Sequence, residues 1–181
     1  PTPKEIARFN SEFNIVKSLE FDGVSKVEAL EKSGNSYVMV LEDGLFDSSV
    51  DEQIKNKAFS VELFLICAIG AAEIMGRIHQ AGVIHKDIKP HNILFKPDTG
   101  SLEFIDFGLA TRLDKEKMDL VSANALEGTL NYISPEQTGR MNRPIDYRTD
   151  YYSLGATFYE MLTGKIPFES TDPMEVVHGH I

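Results

Sequence analysis

The sequence predicts an α+β fold in which helices pack beside short antiparallel hairpins. Three patterns indicate this class. Residues 60–79 are apolar around most of a helical circumference, as in a buried helix. Residues 24–42 and 92–106 each place two strand-like runs on either side of a turn sequence. Residues 150–164 repeat apolar positions at helical spacing and end at a glycine.

Composition limits the functional classes. The chain has 181 residues, 42% hydrophobic and 25% charged, which is enough to build a buried core. Its net charge of −10 opposes binding to nucleic acid or to an anionic membrane. The apolar run at 63–72 is bracketed by Glu62 and Glu73 and is too short to span a bilayer. The single cysteine, Cys67, cannot form an intrachain disulfide, so we expect a cytoplasmic protein.

The opening residues predict a helix that runs to about Leu19. Thr2 suits the N-cap, Pro3 suits the first helical position, and Glu5 suits the reciprocal capping bond. The apolar residues of this helix recur three or four positions apart and should face a core: Ile6, Phe9, Phe13 and Val16.

Two hairpins follow from strand patterns around turns. Residues 24–30 and 36–42 flank the turn sequence EKSGN. Residues 92–95 and 102–106 flank KPDTGS, in which Gly100 can take a positive φ.

The remaining segment is a long loop followed by a helix. Residues 109–148 are polar and irregular, and loops of this length inside a compact domain are usually functional. The last helix starts near Asp150 and is stopped by Gly164, with Pro167 beyond it. Its apolar side carries Leu154, Phe158, Met161 and Leu162.

Polar residues collect at one end of the second hairpin. Asn92 lies just before its first strand and Asp106 just after its second, and the outer ends of antiparallel strands meet. Asp87 lies in the loop that approaches the same end. Oxygen ligands of this kind suit Mg²⁺. With Lys89 as a nearby cation, these are the groups that phosphoryl transfer needs.

Three motifs in this region resemble those of protein kinases. The sequence HKDIKPHN (85–92) resembles the kinase catalytic loop, and DFG (106–108) resembles the metal-binding triplet. The sequence SPE (134–136) resembles the A-P-E element, and the order and spacing of the three motifs agree with the family.

The resemblance implies a role for each residue of the cluster. Asp87 would orient the acceptor hydroxyl, Asn92 and Asp106 would hold Mg²⁺, and Lys89 would meet the γ-phosphate of ATP. Lys89 and the nearby Thr129 resemble the serine/threonine type of kinase. This type transfers the γ-phosphate to Ser or Thr hydroxyls of a protein acceptor in signal transduction.

Further residues resemble the nucleotide side of a kinase. Glu12 is similar to the glutamate of helix C, and Leu94 would lie beneath the adenine ring. Asp150 is similar to the aspartate that bonds the backbone of the catalytic loop, and His85 would pack under the Phe of the triplet. The end of the first hairpin resembles the hinge that meets adenine, with the gatekeeper position first: Leu41, Glu42, Asp43 and Gly44.

The implied fold is protein-kinase-like. An incomplete N-lobe, containing helix C and one hairpin, would span 1–44, and a mostly helical C-lobe reaching about helix G would span 45–181. The segment 128–168 is similar to kinase domains at the head of large multidomain sensor proteins of bacteria and fungi, and SPEQTGRMNR (134–143) is the most specific part of that match. Those proteins carry ATPase-like and histidine kinase modules, so we expect further signalling modules as partners.

Two departures from the family pattern have consequences. No glycine-rich phosphate loop is visible, and no strand lysine is available for Glu12, because Lys4 lies on the same predicted helix. We therefore expect the chain to begin after the third kinase strand and to bind ATP weakly by itself. Lys86 replaces the usual arginine and lacks its bidentate fork, which puts control by loop phosphorylation in question.

Two other functional classes stay open. A non-catalytic kinase-like interaction module would explain the departures, and a small-molecule phosphotransferase could share the same polar cluster. The long loop ending in SPE favours a peptide acceptor over a small molecule. His178 and His180 alternate like metal ligands, but we expect them at a frayed chain end with no cysteine or carboxylate cluster nearby.

Overall fold

The computed structural model describes residues 2–34, 36–42, 46, 48–56, 59–114 and 129–181. The predicted hinge residues Asp43 and Gly44 lie outside the described residues, as does part of the predicted long loop.

Helices and three antiparallel strand pairs make up the described ranges, so the predicted α+β class is confirmed. The helices are α1 (Pro3–Lys17), α2 (Val50–Lys55), α3 (Val61–Gln80), α4 (Arg148–Thr163) and α5 (Pro173–His180). The strands are β1 (Val27–Ser33), β2 (Ser36–Leu41), β3 (Val83–Ile84), β4 (Ile93–Lys96), β5 (Ser101–Phe104) and β6 (Thr111–Arg112). The pairs are β1 with β2, β3 with β6, and β4 with β5. Single 3₁₀ turns occur at Pro90–Asn92, Leu130–Tyr132 and Pro135–Thr138.

Helix α1 begins as its sequence predicts. The Thr2 hydroxyl accepts the backbone N–H of Glu5, and the Glu5 carboxylate accepts the backbone N–H of Thr2. This reciprocal capping box satisfies two N–H groups that have no partner within the helix. The last turn buries Ile15 and Val16 against the core.

The first hairpin is shifted relative to its prediction. Strand β1 starts at Val27 and continues to Ser33, which pairs directly with Ser36. The strand therefore takes over residues that were predicted as turn. The predicted first residue, Val24, instead forms a parallel bridge to Phe104 of β5, and this contact removes it from β1.

Helix α3 provides one wall of the core. It buries Cys67, Ala71, Met75 and Ile78 at helical spacing, and Phe64 meets Phe158 of α4 edge to face with centroids 5.6 Å apart. The prediction that this helix is buried on several sides is wrong for one face. That face carries the exposed side chains Val61, Leu65 and Ile69.

No helix within the described ranges combines the length and the apolar character that crossing a bilayer would require.

The β4–β5 hairpin positions the polar cluster. Ile93 pairs with Phe104, and the N–H of Ile105 donates to the carbonyl of Asn92 over 3.0 Å. The outer ends of the two strands therefore meet as predicted. Asn92 and Asp106 leave the hairpin next to this last bond, which places a carboxamide and a carboxylate at the same edge.

The last helix, α5, contradicts the expectation of a frayed chain end. His180 is only 3% exposed, and its Nδ1 lies 2.9 Å from the Tyr152 hydroxyl. Its ring also packs edge-on against Phe168. Asp172 caps α5 by accepting the N–H of Met174, so the helix has both a start signal and a buried end.

Candidate active site

Asp87 is the centre of the polar cluster. Its Oδ1 accepts both the backbone N–H and the hydroxyl of Thr129, each over 3.0 Å. Its Oδ2 accepts from Lys89 Nζ over 2.7 Å and from Asn92 Nδ2 over 3.3 Å. Four donors thus fix the plane of one partly exposed carboxylate, so its orientation is defined before any substrate arrives.

Lys89 joins the two segments that form the cluster. Its ammonium group lies 2.7 Å from Asp87 Oδ2 and 2.9 Å from Thr129 Oγ1. Thr129 is forty-two residues from Asp87 in sequence. The three side chains that were predicted as catalytic, Asp87, Lys89 and Thr129, are therefore brought into direct contact.

The electrostatics favour an ionised Asp87. Burial acts to raise the pKa of this carboxyl, but the bonds from Lys89 and Thr129 outweigh burial and hold its pKa below the ordinary value. At neutral pH the group is therefore an anion, and a substrate hydroxyl can donate to it by taking the place of one of these four donors.

Asn92 and Asp106 carry the two oxygen-bearing side chains at this edge that could hold a metal ion. The Asn92 amide nitrogen donates to the Asp87 carbonyl over 3.0 Å, which leaves its Oδ1 as the atom available to a metal. Asp106 is exposed, and its Oδ1 accepts the N–H of Gly108 over 3.3 Å. One carboxamide oxygen and one carboxylate form a hard, oxygen-only donor set. That set fits Mg²⁺, which takes one or two protein ligands and completes its shell with water and phosphate.

Asp150 supports the loop that carries Asp87. The carboxylate is fully buried and accepts the N–H of His85 over 2.9 Å and the N–H of Lys86 over 2.8 Å. Lys86 has a φ of 66°, in the left-handed region that is strained for a side chain of this size. The predicted contact of Asp150 with the loop backbone is confirmed.

His79 is a supporting residue that the sequence analysis missed. Its Nε2 lies 2.7 Å from Asp150 Oδ2, and its ring packs against Tyr147 and Tyr151. The available signal was a polar residue in the last turn of an apolar helix. Only the fold shows that Asp150 faces it.

Gln137 is a second missed support. Its Nε2 donates to the carbonyl of Lys86 over 2.8 Å, while its Oε1 accepts the N–H and the hydroxyl of Ser134. The SPE motif is therefore tied to the loop that carries Asp87. This side chain follows SPE directly in sequence, but its contact with Lys86 spans fifty-one residues, so no local pattern predicts it.

His85 packs as predicted. It is fully buried, and its ring lies 4.5 Å from the ring of Phe107. Its Nε2 lies 3.2 Å from the carbonyl of Ile105. Burial lowers the pKa of His85, so the ring is neutral at pH 7 and serves packing rather than proton transfer.

Glu12 faces the metal-binding triplet from α1. Burial and the neighbouring carboxylate of Asp106 raise the pKa of Glu12, whereas Arg8 acts to lower it. Among the described residues, Arg8 is the cation that acts on Glu12.

The predicted nucleotide-binding residues are only partly brought together. Leu94 lines a cavity of about 520 Å³ together with Phe46, Ile105 and His91. Leu41 is 47% exposed at the end of β2, and Glu42 is exposed after it. Neither is among the described residues that line the cavity beside Leu94. Asp43 and Gly44 lie outside the described residues.

Fold, site and sequence similarity agree on the class of protein. An oriented loop carboxylate with a neighbouring cation, beside an edge that carries a carboxamide and a carboxylate, supplies the kinds of group that phosphoryl transfer needs. The chain belongs to the protein kinase domain family, which matches residues 2–181.

Curated relatives of this chain are bacterial kinases. A protein of Clostridium perfringens, named "Probable serine/threonine-protein kinase", is 34% identical over 179 residues, which is 97% of this chain and 25% of that protein. A protein of the same name from Corynebacterium efficiens is 41% identical over 103 residues, or 57% of this chain and 15% of that protein. The serine/threonine-protein kinase PknB of Mycobacterium tuberculosis is 37% identical over 111 residues, or 61% of this chain and 17% of that protein. The chain thus spans a quarter or less of each relative's length.

Proposed function

We propose that this chain carries the catalytic core of a serine/threonine protein kinase that transfers the γ-phosphate of ATP to a protein acceptor in signal transduction. The observation that carries the proposal is the Asp87 carboxylate, held by Lys89 and Thr129 beside the edge where Asn92 and Asp106 meet.

Each residue has a distinct part in the proposed reaction. Asp87 accepts a hydrogen bond from the acceptor Ser or Thr hydroxyl and orients its oxygen toward the phosphorus. Lys89 places a positive charge where the γ-phosphate moves, and Thr129 holds both Asp87 and Lys89. Asn92 and Asp106 would hold Mg²⁺. The metal, when bound, supplies positive charge that neutralises the phosphate oxygens.

The nucleotide is proposed to enter beside Leu94. The cavity there is apolar on the side of Leu94, Phe46 and Ile105, which suits a purine ring. The hinge role of residues 41–44 and the role of Glu12 near the phosphates are also part of the proposal. So is the division into an N-lobe (1–44) and a C-lobe (45–181).

The partner modules and the cellular location of the protein are also part of the proposal. Similarity of the segment 128–168 to multidomain sensor kinases supports further signalling modules as partners, and a cytoplasmic location suits a nucleotide-dependent signalling enzyme. The competing proposal is a non-catalytic kinase-like interaction or sensing module of a larger signalling protein.

Phosphate transfer by the full-length protein separates the two proposals. The protein is incubated with Mg²⁺, radiolabelled ATP and a Ser/Thr-rich protein acceptor, and acid-stable phosphoserine and phosphothreonine are measured. We expect transfer by the wild type and a loss of at least about a hundredfold in Asp87→Asn, because the amide cannot accept a proton. Asp98→Asn, in the exposed turn between β4 and β5, is the matched control and should keep wild-type activity. Equal labelling by Asp87→Asn would remove Asp87 from its role, and no labelling by the wild type would favour the non-catalytic module.

A further inference from the structure

Arg8 makes a long-range contact that the proposed reaction does not use. It lies on α1 one helical turn before Glu12, and its Nε donates to the carbonyl of Gly108 over 2.6 Å. The two residues are one hundred positions apart in sequence. A short bond from a guanidinium to a carbonyl is a charge-assisted hydrogen bond, which is stronger than a neutral one.

Gly108 is a point of close approach between α1 and Asp106. A Cβ added at Gly108 would lie 3.1 Å from Asp106 Oδ1, 3.5 Å from Glu12 Oε2 and 3.7 Å from Arg8 Nη2. The side chains of all three residues therefore converge on this one backbone unit. The peptide of Gly108 connects them, because its N–H donates to Asp106 Oδ1 while its carbonyl accepts from Arg8.

Asp106 needs such support because of its backbone. Its φ of 61° lies in the left-handed region, which costs an aspartate more than a glycine and persists only when neighbouring contacts hold it. The next residue, Phe107, is held in place because its side chain is buried against His85. The hydrogen bond from Arg8 holds the backbone of the following residue, Gly108.

The charges explain why an arginine stands at this position. The carboxylates of Glu12 and Asp106 repel each other, and Arg8 opposes that repulsion. A cation between two like charges favours the arrangement in which α1 stays close to the triplet.

A second arginine holds the other end of the same helix. Arg112 of β6 donates from Nη2 to the Ser18 hydroxyl over 2.9 Å, at the C-cap of α1. The segment from Asp106 to Arg112 is thus bonded to α1 near both ends of the helix. Of these two hydrogen bonds, the one from Arg8 lies next to Asp106, the proposed metal-binding residue.

We propose that Arg8 is a positioning residue that couples α1 to the metal-binding segment and sets the orientation of the Asp106 carboxylate. The metal part of this inference rests on the proposed kinase function, but the coupling itself does not.

The test compares Arg8→Ala, Arg8→Lys and the control Lys4→Ala in the full-length protein. Lys4 is exposed on the same helix, one turn earlier. The first readout is amide hydrogen exchange of residues 105–110 without nucleotide or metal. The second is the Mg²⁺ concentration for half-maximal phosphate transfer, measured separately from the maximal rate.

We expect Arg8→Ala to raise both the exchange rate and the Mg²⁺ requirement about tenfold, the cost of losing a hydrogen bond to a charged group. Arg8→Lys, which keeps the charge and one donor, should recover part of each effect. Lys4→Ala should match the wild type in both readouts.

Unchanged exchange at 105–110 in Arg8→Ala would overturn the coupling. Faster exchange with an unchanged Mg²⁺ requirement would overturn the effect on Asp106. If the wild type transfers no phosphate, the proposed function fails, and the exchange readout still decides whether Arg8 couples α1 to the triplet.

Discussion

Thr129 shows how one residue outside the catalytic loop can define that loop's chemistry. Its hydroxyl bonds both Asp87 and Lys89, and its backbone N–H bonds Asp87 a second time. The backbone bond survives any substitution at this position, whereas the hydroxyl bonds do not. The side chain can therefore be tested without removing Thr129 from its place.

Replacing the Thr129 hydroxyl should slow the reaction more than it weakens nucleotide binding. Thr129→Ala removes a hydrogen bond from the ionised Asp87 and another from Lys89, so we expect kcat to fall about tenfold or more, with KM for ATP nearly unchanged. Steady-state phosphate transfer measures both. Thr129→Ser keeps a hydroxyl and should retain most activity. A rise in KM alone would assign Thr129 to nucleotide binding.

At the residue scale, the sequence predicted those site residues that lie close to each other in the chain. Asp87, Lys89 and Asn92 lie within one loop, and the hairpin rule placed Asp106 beside them. Arg8 and His79 could not be predicted in this way, because their partners are distant in sequence and local patterns carry no information about them. His180 was misjudged because its burial depends on Tyr152 and Phe168 from other elements.

The first turn of α4 connects two elements to the catalytic loop. Asp150 accepts two N–H groups from that loop and lies 2.7 Å from His79 at the end of α3. No part of this carboxylate is exposed, so water cannot replace any partner that is lost.

Asp150→Asn should destabilise the whole fold. The amide cannot satisfy two N–H donors and a histidine together, and breaking a buried charged network typically costs about 3–5 kcal/mol. Chemical denaturation gives the free energy of unfolding. Asp22→Asn, at an exposed surface pair with Lys26, is the control and should cost only about 0–1 kcal/mol. Equal losses in the two variants would contradict the assigned role of Asp150.

The connection between α1 and β5 depends on a glycine. Gly23 has a φ of 103°, its carbonyl accepts the N–H of Phe104, and a Cβ there would lie 2.5 Å from Ile74 Cδ1.

Gly23→Ala should therefore lower the free energy of unfolding by about 2 kcal/mol or more, from backbone strain and overpacking together. Gly164→Ala is the matched control. Its φ is 69°, and a Cβ would meet no described atom within 4 Å, so only the backbone cost of about 1 kcal/mol should appear. Denaturant titration of both variants checks the difference, and a smaller loss for Gly23→Ala than for Gly164→Ala would contradict this account.

At the element scale, long periodic segments were predictable and short ones were not. Helices α1, α3 and α4 have apolar repeats and clear start or stop residues. Strands β3 and β6 are two residues long and pair across the fold, so neither shows an alternating pattern of its own. Helix α2 spans only six residues, less than two helical turns, and its Ser49–Glu52 capping box was the one signal available.

The whole molecule depends on a core that includes neutral histidines. One buried cluster joins α1, α3, the β4–β5 hairpin and α4, and His85 lies fully buried beside Phe107 of that cluster. Burial lowers the pKa of both His85 and His180 below the ordinary value of 6.5. Just below pH 6.5 these two histidines therefore bind protons more readily in the unfolded chain than in the folded protein.

Stability should consequently fall on mild acidification. The stabilisation is fully present above the unfolded-state pKa near 6.5 and is lost as the pH falls toward the lower folded-state pKa. The free energy of unfolding, measured without metal or nucleotide from about pH 7 to about pH 5.5, should decrease. His85→Phe should flatten the slope, and the exposed control His91→Asn should not. A slope of opposite sign in the wild type would show that these histidines gain protons on folding.

The proposed function requires that the meeting ends of β4 and β5 bind the metal of a metal–nucleotide complex. Mn²⁺ binding in the presence of ADP, measured by electron paramagnetic resonance on the full-length protein, tests it most directly. We predict that Asp106→Asn weakens Mn²⁺ binding about tenfold or more, while Asp98→Asn, in the turn at the opposite end of the same hairpin, binds like the wild type. Equal Mn²⁺ affinity of Asp106→Asn and the wild type would contradict the claim.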